Sequence, residues 1–143
     1  MNAIKQKKLI VSGAVMASFV LLLFYPFETT VVPEWTIRVV DETIKPVPNV
    51  VVREQWRNHS VEFHGHNEDR ITDNEGYVSF PRRTVRASLM FRVVGRAVMA
   101  LNIHGESGPK ASTLVLGSYL TSSDSDYSPE KPLPEVIVVR PQP

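Results

Sequence analysis

The chain has no cysteine among its 143 residues. This absence excludes a disulfide framework, a thiolate metal site, a cysteine nucleophile and a lipid anchor attached to cysteine. Glycine is also scarce, with seven residues against eleven prolines, and no leucine-rich heptads occur, which disfavours a coiled coil or a helical bundle. There is no Gly-x-Ser-x-Gly string and no glycine-rich phosphate loop. No enzyme class is therefore indicated by these signatures.

Net charge is also low, at +1, with 16 basic and 15 acidic residues. Such a balance gives no electrostatic preference for nucleic acid. The charges are nevertheless unevenly distributed. Lys5, Lys7 and Lys8 precede a stretch from Leu9 to Phe27 that has no charged side chain. The remaining 13 basic and 15 acidic residues all follow this stretch, so the chain has a basic tip ahead of a slightly acidic domain.

The uncharged stretch, residues 9–27, has the length of a membrane span. At about 1.5 Å per residue its 19 residues reach about 28 Å, close to the hydrocarbon thickness of a bilayer. It ends in aromatic residues, which favour the headgroup level, and Pro26 would stop a helix there. The positive-inside rule keeps the lysine-bearing tip, residues 1–8, in the cytoplasm. We therefore predict a transmembrane anchor over 9–27.

A cleaved signal peptide is the alternative interpretation of this segment. Val15-Met16-Ala17 resembles a small-residue cleavage site, and cleavage there would leave Ser18 as the new N-terminus. The apolar core of a cleaved signal is usually shorter, and its small residues stand at the far end. Here the small residues come first and the leucines last, which favours an uncleaved anchor.

After a linker over 28–34, the chain shows short runs in which apolar and polar residues alternate. This period of two is typical of half-buried antiparallel strands, and turn signals separate the runs. We predict an all-β domain over 35–143, a small antiparallel β-sandwich of the transthyretin-like or Ig-like kind, with a polar loop at 121–134. The predicted strand positions are 35–39, 50–57, 60–64, 86–93, 97–103 and 136–139.

Two strings carry a family resemblance, WTIRVVDETIKPVPNVVVREQW from residue 35 and RITDNEGYVSF from residue 70. Together they resemble the start of a carboxypeptidase-regulatory-like domain of the transthyretin-like sandwich type. In that family a first strand ends at an acidic residue, here Asp41, and a proline-containing loop leads into a valine-rich strand. The resemblance spans residues 35–80 and implies a fold. It implies no function, because the matched residues form turns and core.

The second string also contains a turn that can be interpreted physically. Asp73 is placed to accept hydrogen bonds from backbone amides two or more residues on, and Gly76 can take the positive φ that such a turn needs. Tyr77 and Phe80 flank the start of the next strand. We expect these four residues to have a structural role.

One histidine cluster has residue types suited to metal binding. On a strand, Glu62, His64 and His66 would share a face, and His104 on another strand would supply a fourth ligand. Residues 66–69 have the composition of a loop, however, and the spacing matches no specific zinc signature. We therefore predict no metal and no cofactor, and keep a small metal-dependent or hydrolytic enzyme as an alternative function.

Five arginines form the densest basic group of the chain: Arg82, Arg83, Arg86, Arg92 and Arg96. An anionic partner would explain them, such as lipid headgroups, lipopolysaccharide or an acidic protein. Their placement at alternate positions is also typical of the solvent face of strands, where arginines discourage edge-to-edge aggregation.

Together these features predict a membrane-anchored, extracytoplasmic binding or structural module of the cell envelope, without catalytic activity. The anchor would cross the inner membrane once, with the C-terminal domain in a bacterial periplasm. The expected partners are the membrane and an envelope protein or surface polymer. A further alternative is an envelope inhibitor or immunity factor that docks a partner protein along an exposed edge strand.

Overall fold

The computed structural model describes residues 3–101, 107–121, 126–131 and 133–141. Within these ranges a long N-terminal helix precedes a region of short strands and a second helix. In chain order the elements are α1 (Ala3–Phe24), β1 (Pro26–Val32), β2 (Trp35–Asp41), β3 (Val51–Asn58), β4 (His66–Ile71), β5 (Tyr77–Phe80), β6 (Arg83–Ser88), α2 (Leu89–Leu101), β7 (Pro109–Leu116), β8 (Tyr119–Thr121), β9 (Asp126–Tyr127) and β10 (Val136–Pro141).

Helix α1 is almost entirely exposed, and it contacts α2. Over Lys5–Phe24 it is long and apolar enough to cross a membrane, and none of its most apolar window is buried against other residues. The helix ends just before Pro26, whose ring is incompatible with a continuing helix. The rings of Tyr25 and Phe27 then meet edge to face at 4.9 Å. The predicted apolar helix is thus present at the N-terminus.

The strands form three sheets. In the first sheet β1 pairs antiparallel with β6. The second sheet has the order β5-β2-β10-β8 and the third the order β4-β3-β7-β9. Strands β2 and β10 run parallel, whereas the other named pairs are antiparallel. The prediction of an antiparallel sheet is therefore wrong at this one pair. The last strand, β10, joins the second sheet beside β2 and runs in the same direction. The amide of Arg38 donates to the Glu135 carbonyl at 2.9 Å where the two strands meet.

One hydrophobic core joins the second and third sheets. On β2, inward Trp35, Ile37 and Val39 are buried while Thr36 between them is exposed, as a period of two requires. The buried residues of this core are Val31, Val32, Trp35, Ile37, Val39, Val47, Val50, Val52, Val78, Phe80, Ala111, Val115, Ile137 and Val139. The molecule is therefore a small β-rich domain behind an apolar helix; the sandwich type remains a prediction.

The turn before β5 is closed by the Asp73 side chain. Its Oδ1 accepts hydrogen bonds from the amides of Glu75 at 2.9 Å and Tyr77 at 2.8 Å. Gly76 has a φ of 80°, and a Cβ there would lie 2.6 Å from the Val39 carbonyl oxygen. Only glycine avoids both the left-handed backbone penalty and this overlap. The turn in this way fixes β5 against β2.

The largest departure from the sequence prediction is α2. Strands predicted over 86–93 and 97–103 are replaced, from Leu89, by a helix that continues to Leu101. Its half-buried residues are Arg92, Gly95 and Met99, spaced by three and four as on one helix face. Apolar residues occupy so much of this segment that they satisfy a period of two and a helical period alike.

Four smaller segments also differ from the prediction. The predicted linker over 28–34 lies mostly in β1, because its backbone pairs with β6. The predicted strand at 60–64 is a turn, because the chain reverses direction over 59–65. The predicted loop at 66–69 belongs instead to β4, which pairs with β3. The polar loop at 121–134 includes β9, which pairs with β7, although 122–125 and 132 lie outside the described residues.

Candidate functional site

A cleft of about 970 Å³ lies over one end of the third sheet. Its floor contains His66, Trp56, Ala111 and Tyr127, which stand opposite one another across four strands. Opposed residues of antiparallel strands present their side chains on the same face. Three ring-bearing side chains and one methyl group thus form a continuous row, which we call the aromatic row.

Trp56 is the centre of the aromatic row. Its ring stacks with that of His66, with centroids 5.4 Å apart and planes inclined by 20°. The guanidinium of Arg83 lies 4.1 Å from the centroid of the Trp56 ring, a cation–π distance. Trp56 also packs against the hydrophobic core. Its orientation is thereby fixed from two directions, and it remains partly exposed where it lines the cleft.

A cluster of charged side chains lies next to the aromatic row, where Glu54 on β3 stands opposite Glu68 on β4 and Arg83 reaches both from β6. Arg83 donates from Nε to Oε2 of Glu54 at 2.9 Å and from Nη2 to Oε2 of Glu68. Arg70 donates to the other oxygen of Glu68 at 2.6 Å. Glu54 is 0% exposed, and the side chain of Arg83 is 14% exposed. We call these four residues the buried ion cluster.

The two carboxylates of the buried ion cluster have opposite electrostatic environments. Burial raises the pKa of Glu54, against the opposing effect of Arg83. Hydrogen bonds from Arg70 and Arg83 lower the pKa of Glu68. Oε1 of Glu54 has no hydrogen-bond partner among the described residues. A buried carboxylate with only one oxygen paired is expensive, and the cluster tolerates it because Arg83 supplies the compensating charge.

The walls of the cleft carry more positive than negative side chains. The charged residues that line it are Arg57, Arg96, Lys110, Lys131, Asp126 and Glu130. Four of these are cations and two are anions. Because cations combined with an aromatic floor suit a ligand with acidic groups and some apolar surface, the cleft has the chemistry to bind an anionic partner.

The predicted histidine cluster is only partly assembled. Nε2 of His66 lies 2.9 Å from Oε1 of Glu62, whose other oxygen accepts the Asn58 amide at 2.6 Å. No group of three His, Asp or Glu side chains arranged to hold a metal occurs within the described residues. His64 joins no such group, and His104 lies outside the described ranges. His66 instead belongs to the aromatic row.

The five predicted arginines have different environments. Arg83 points inward to the buried ion cluster. Arg82 and Arg86 are exposed and face Glu28 on β1 at 3.5 and 3.0 Å. Arg92 donates to backbone carbonyls, and Arg96 lines the cleft. The structure therefore does not assemble the five into a single exposed patch.

Sequence reasoning did not identify the aromatic row, Glu54 or Glu68. Alternation on β3 placed Trp56 inward, but the partners across the sheet depend on strand order, which no local pattern reveals. The cleft also contains two Ser-x-x-Lys strings, 107–110 and 128–131. Neither string lies on a helix. Ser128 and Lys131 stand opposite each other in an antiparallel bridge.

No family model, no curated protein and no solved structure matches this chain. The resemblance to carboxypeptidase-regulatory-like domains accordingly remains a prediction based on residues 35–80.

Proposed function

We propose that the protein is a membrane-anchored binding module whose β-rich domain lies outside the inner membrane of a bacterium, in the periplasm. The cleft over the aromatic row is its ligand site. The observation that carries this proposal is the junction at Pro26. There an apolar helix with no buried face passes into β1, and β1 contributes Val31 and Val32 to the domain core.

The direct junction restricts where the domain can lie. A flexible linker would allow it to move away from the membrane, but β1 begins two residues after α1 ends. The three lysines ahead of the span favour a cytoplasmic N-terminus, which puts the domain on the opposite side. The module would then display its cleft close to the outer surface of the membrane.

The ligand we propose is an anionic segment of an envelope protein or an anionic surface polymer. The excess of cations over anions in the cleft lining supplies the charge complementarity, and Trp56 supplies an aromatic side chain of fixed orientation. We propose a binding role without a catalytic step, because no group of His, Asp or Glu side chains arranged to hold a metal occurs within the described residues.

The anchor is tested by intact mass and by extraction of the full chain from the membrane fraction. We expect a chain that retains its N-terminal helix and resists extraction at alkaline pH. A purified protein beginning at Ser18, or one released by alkaline extraction, would contradict an uncleaved anchor.

The cleft is tested by a photoreactive phenylalanine derivative incorporated in place of Tyr127 in the full chain. The matched control carries the same group in place of Tyr77, which lies on β5 in the second sheet, away from the cleft. Irradiation of intact cells should give a discrete adduct at 127 that is absent at 77 and is lost in Trp56→Ala. Equal adducts at both positions, or none at 127, would refute the cleft as the ligand site.

A further inference from the structure

Helix α2 contacts the domain through a narrow stripe. Arg92 donates from Nε to the Ala87 carbonyl at 3.1 Å and from Nη2 to the Phe27 carbonyl at 2.7 Å. One turn later, a Cβ at Gly95 would overlap the carbonyl oxygen of Ser60. The helix backbone thus lies directly on the turn that follows β3, with Arg92 joining it to β1.

The rest of α2 is apolar and largely exposed, apart from its contact with α1. Its large apolar residues outside this stripe are all exposed, up to 86% at Leu101. The ring of Phe63, itself 78% exposed, contacts Phe91 edge to face at 6.2 Å and extends this surface. We define the outer face of α2 as Leu89, Met90, Phe91, Val93, Val94, Val98 and Leu101, together with Phe63.

Such a concentration of exposed apolar side chains is unusual for a soluble surface. Elsewhere in the domain the exposed large apolar residues belong to separate strands and turns, for example Ile44, Leu114 and Val136. Contiguous apolar patches generally mark a surface that something else covers. Helices that lie in the interface of a bilayer typically have an apolar face opposite a stripe that contains basic residues such as arginine.

The sheet register says where this face lies relative to the anchor. Ser88, the last residue of β6, stands opposite Pro26, the first residue of β1. Helix α2 starts at the next residue, Leu89, and α1 ends at Phe24. Both helices therefore begin or end at the same level, where Tyr25 and Phe27 supply aromatic rings of the kind that favour the headgroup region.

We propose that the outer face of α2 is inserted into the headgroup–acyl boundary of the leaflet from which α1 emerges. This inference rests on the proposed function, since it takes α1 to be the membrane span. The occupant is the phospholipid bilayer, because the register holds this apolar face at the point where α1 leaves the membrane. Arg96 belongs to α2 and lines the cleft, so insertion also places the cleft beside the lipid surface and restricts its ligands to those that approach the membrane closely.

The absence of cysteine makes a direct test possible. Single-cysteine variants of the full chain, Val94→Cys on the outer face, Leu21→Cys in α1 and Glu75→Cys in the turn before β5, are labelled with an environment-sensitive fluorophore. Each is reconstituted into phosphatidylcholine vesicles that contain nitroxide lipids, with the nitroxide either near the headgroup or near the chain end. Val98→Cys, one helical turn after Val94, provides a second reading of the same face.

We expect blue-shifted emission at Val94 and Val98 with several-fold stronger quenching by the shallow nitroxide than at Glu75. The Leu21 probe should be quenched best by the deep nitroxide, and the Glu75 probe only by aqueous iodide. Iodide quenching at Val94 equal to that at Glu75 would overturn the inference. So would blue-shifted emission without nitroxide quenching, because protein, such as a second copy of the chain, would then cover the face. Loss of lipid quenching at Leu21 alone would instead contradict the anchor.

Discussion

At the residue scale, the buried ion cluster is the feature on which the third sheet most depends. Glu54 and Glu68 converge on Arg83 from neighbouring strands, and the same guanidinium lies over Trp56. One arginine thus holds two carboxylates and orients the central ring of the proposed ligand site. Removing it would leave a buried carboxylate without its counter-charge, which is far more costly than removing an exposed ion pair.

We therefore expect Arg83→Met to lower the free energy of unfolding by about 3–5 kcal/mol. The neighbouring Arg82→Met is the matched control, because Arg82 is 59% exposed and its nearest carboxylate is 3.5 Å away. Its cost should be about 0–1 kcal/mol. Urea unfolding of the full chain in detergent measures both, and equal costs would show that the cluster does not stabilise the fold.

Glu54 also makes stability depend on pH in a defined direction. Because burial raises its pKa above the ordinary 4.5, the unfolded chain releases this proton at a lower pH than the folded chain does. Stability from this group is complete below pH 4.5 and is lost as pH rises through the folded pKa. Glu68 acts in the opposite sense, since its lowered pKa adds stability that disappears as pH falls through the folded value.

Glu54→Gln isolates the first of these effects. Relative to this variant, the wild type should become less stable as pH rises from 4.5, and the difference should level off above the folded pKa of Glu54. Urea midpoints of the two proteins across this range measure it. A difference that grows in favour of the wild type with rising pH would contradict the raised pKa.

The turn at Asp73 gives a graded series. Gly76→Ala combines a φ of 80° with a Cβ placed 2.6 Å from the Val39 carbonyl oxygen, so we expect a loss of about 1 kcal/mol or more. Asp73→Ala should cost about 1 kcal/mol. Phe80→Ala, at a position with no exposed surface, should cost about 3–5 kcal/mol. If Asp73→Ala kept its stability but lost the photo-crosslinked adduct at position 127, the turn would contribute to ligand binding and its role would not be purely structural.

At the element scale, the close contact of α2 with the Ser60 carbonyl predicts an unusual outcome for a glycine. In an exposed helix interior, Gly→Ala is normally stabilising by about 1 kcal/mol. At Gly95 the added methyl group would displace the helix, so amide hydrogen exchange in α2 should accelerate while β3 stays protected. Gly13→Ala in α1, where nothing lies within 4 Å, is the control that should show no such effect. Unchanged exchange in α2 would disprove this contact.

The local sequence pattern predicted those strands that have one buried face and one exposed face. On β2 and β3, buried and exposed residues alternate, and β10 is a short valine-rich run near the chain end. Helix α2 escaped prediction because its apolar face is wide and Val93, Val94 and Val98 favour strands. The spacing of Arg92 and Arg96 by four was one signal of a helix, beside the helical period that the apolar residues also satisfy.

The candidate site could not be predicted from local sequence patterns, for a different reason. Glu54 and Arg83 are 29 residues apart, and the aromatic row takes one residue from each of four strands. Their proximity is a consequence of strand order and register, which long-range pairing decides. The alternative of a metal-dependent enzyme treated His66 as a candidate ligand, whereas its ring stacks on Trp56.

At the scale of the whole molecule, a short junction links a helix of membrane-spanning length to a β-rich domain. The sheet register holds α2 beside that junction, and the cleft lies next to α2. Under the proposed topology, the membrane would determine which side of the domain is accessible. The central claim is therefore the topology: a retained anchor, a cytoplasmic tip and an external domain.

Labelling of single cysteines in intact cells tests this topology most directly, because the natural chain gives no background. Gln6→Cys marks the tip and Glu75→Cys marks the domain. With a membrane-impermeant maleimide we predict labelling at position 75 in intact cells. Position 6 should be labelled only after the cells are lysed, and the labelled protein should have the mass of the full-length chain. Labelling at 6 but not at 75 in intact cells, or loss of position 6 from the mature chain, would contradict the account.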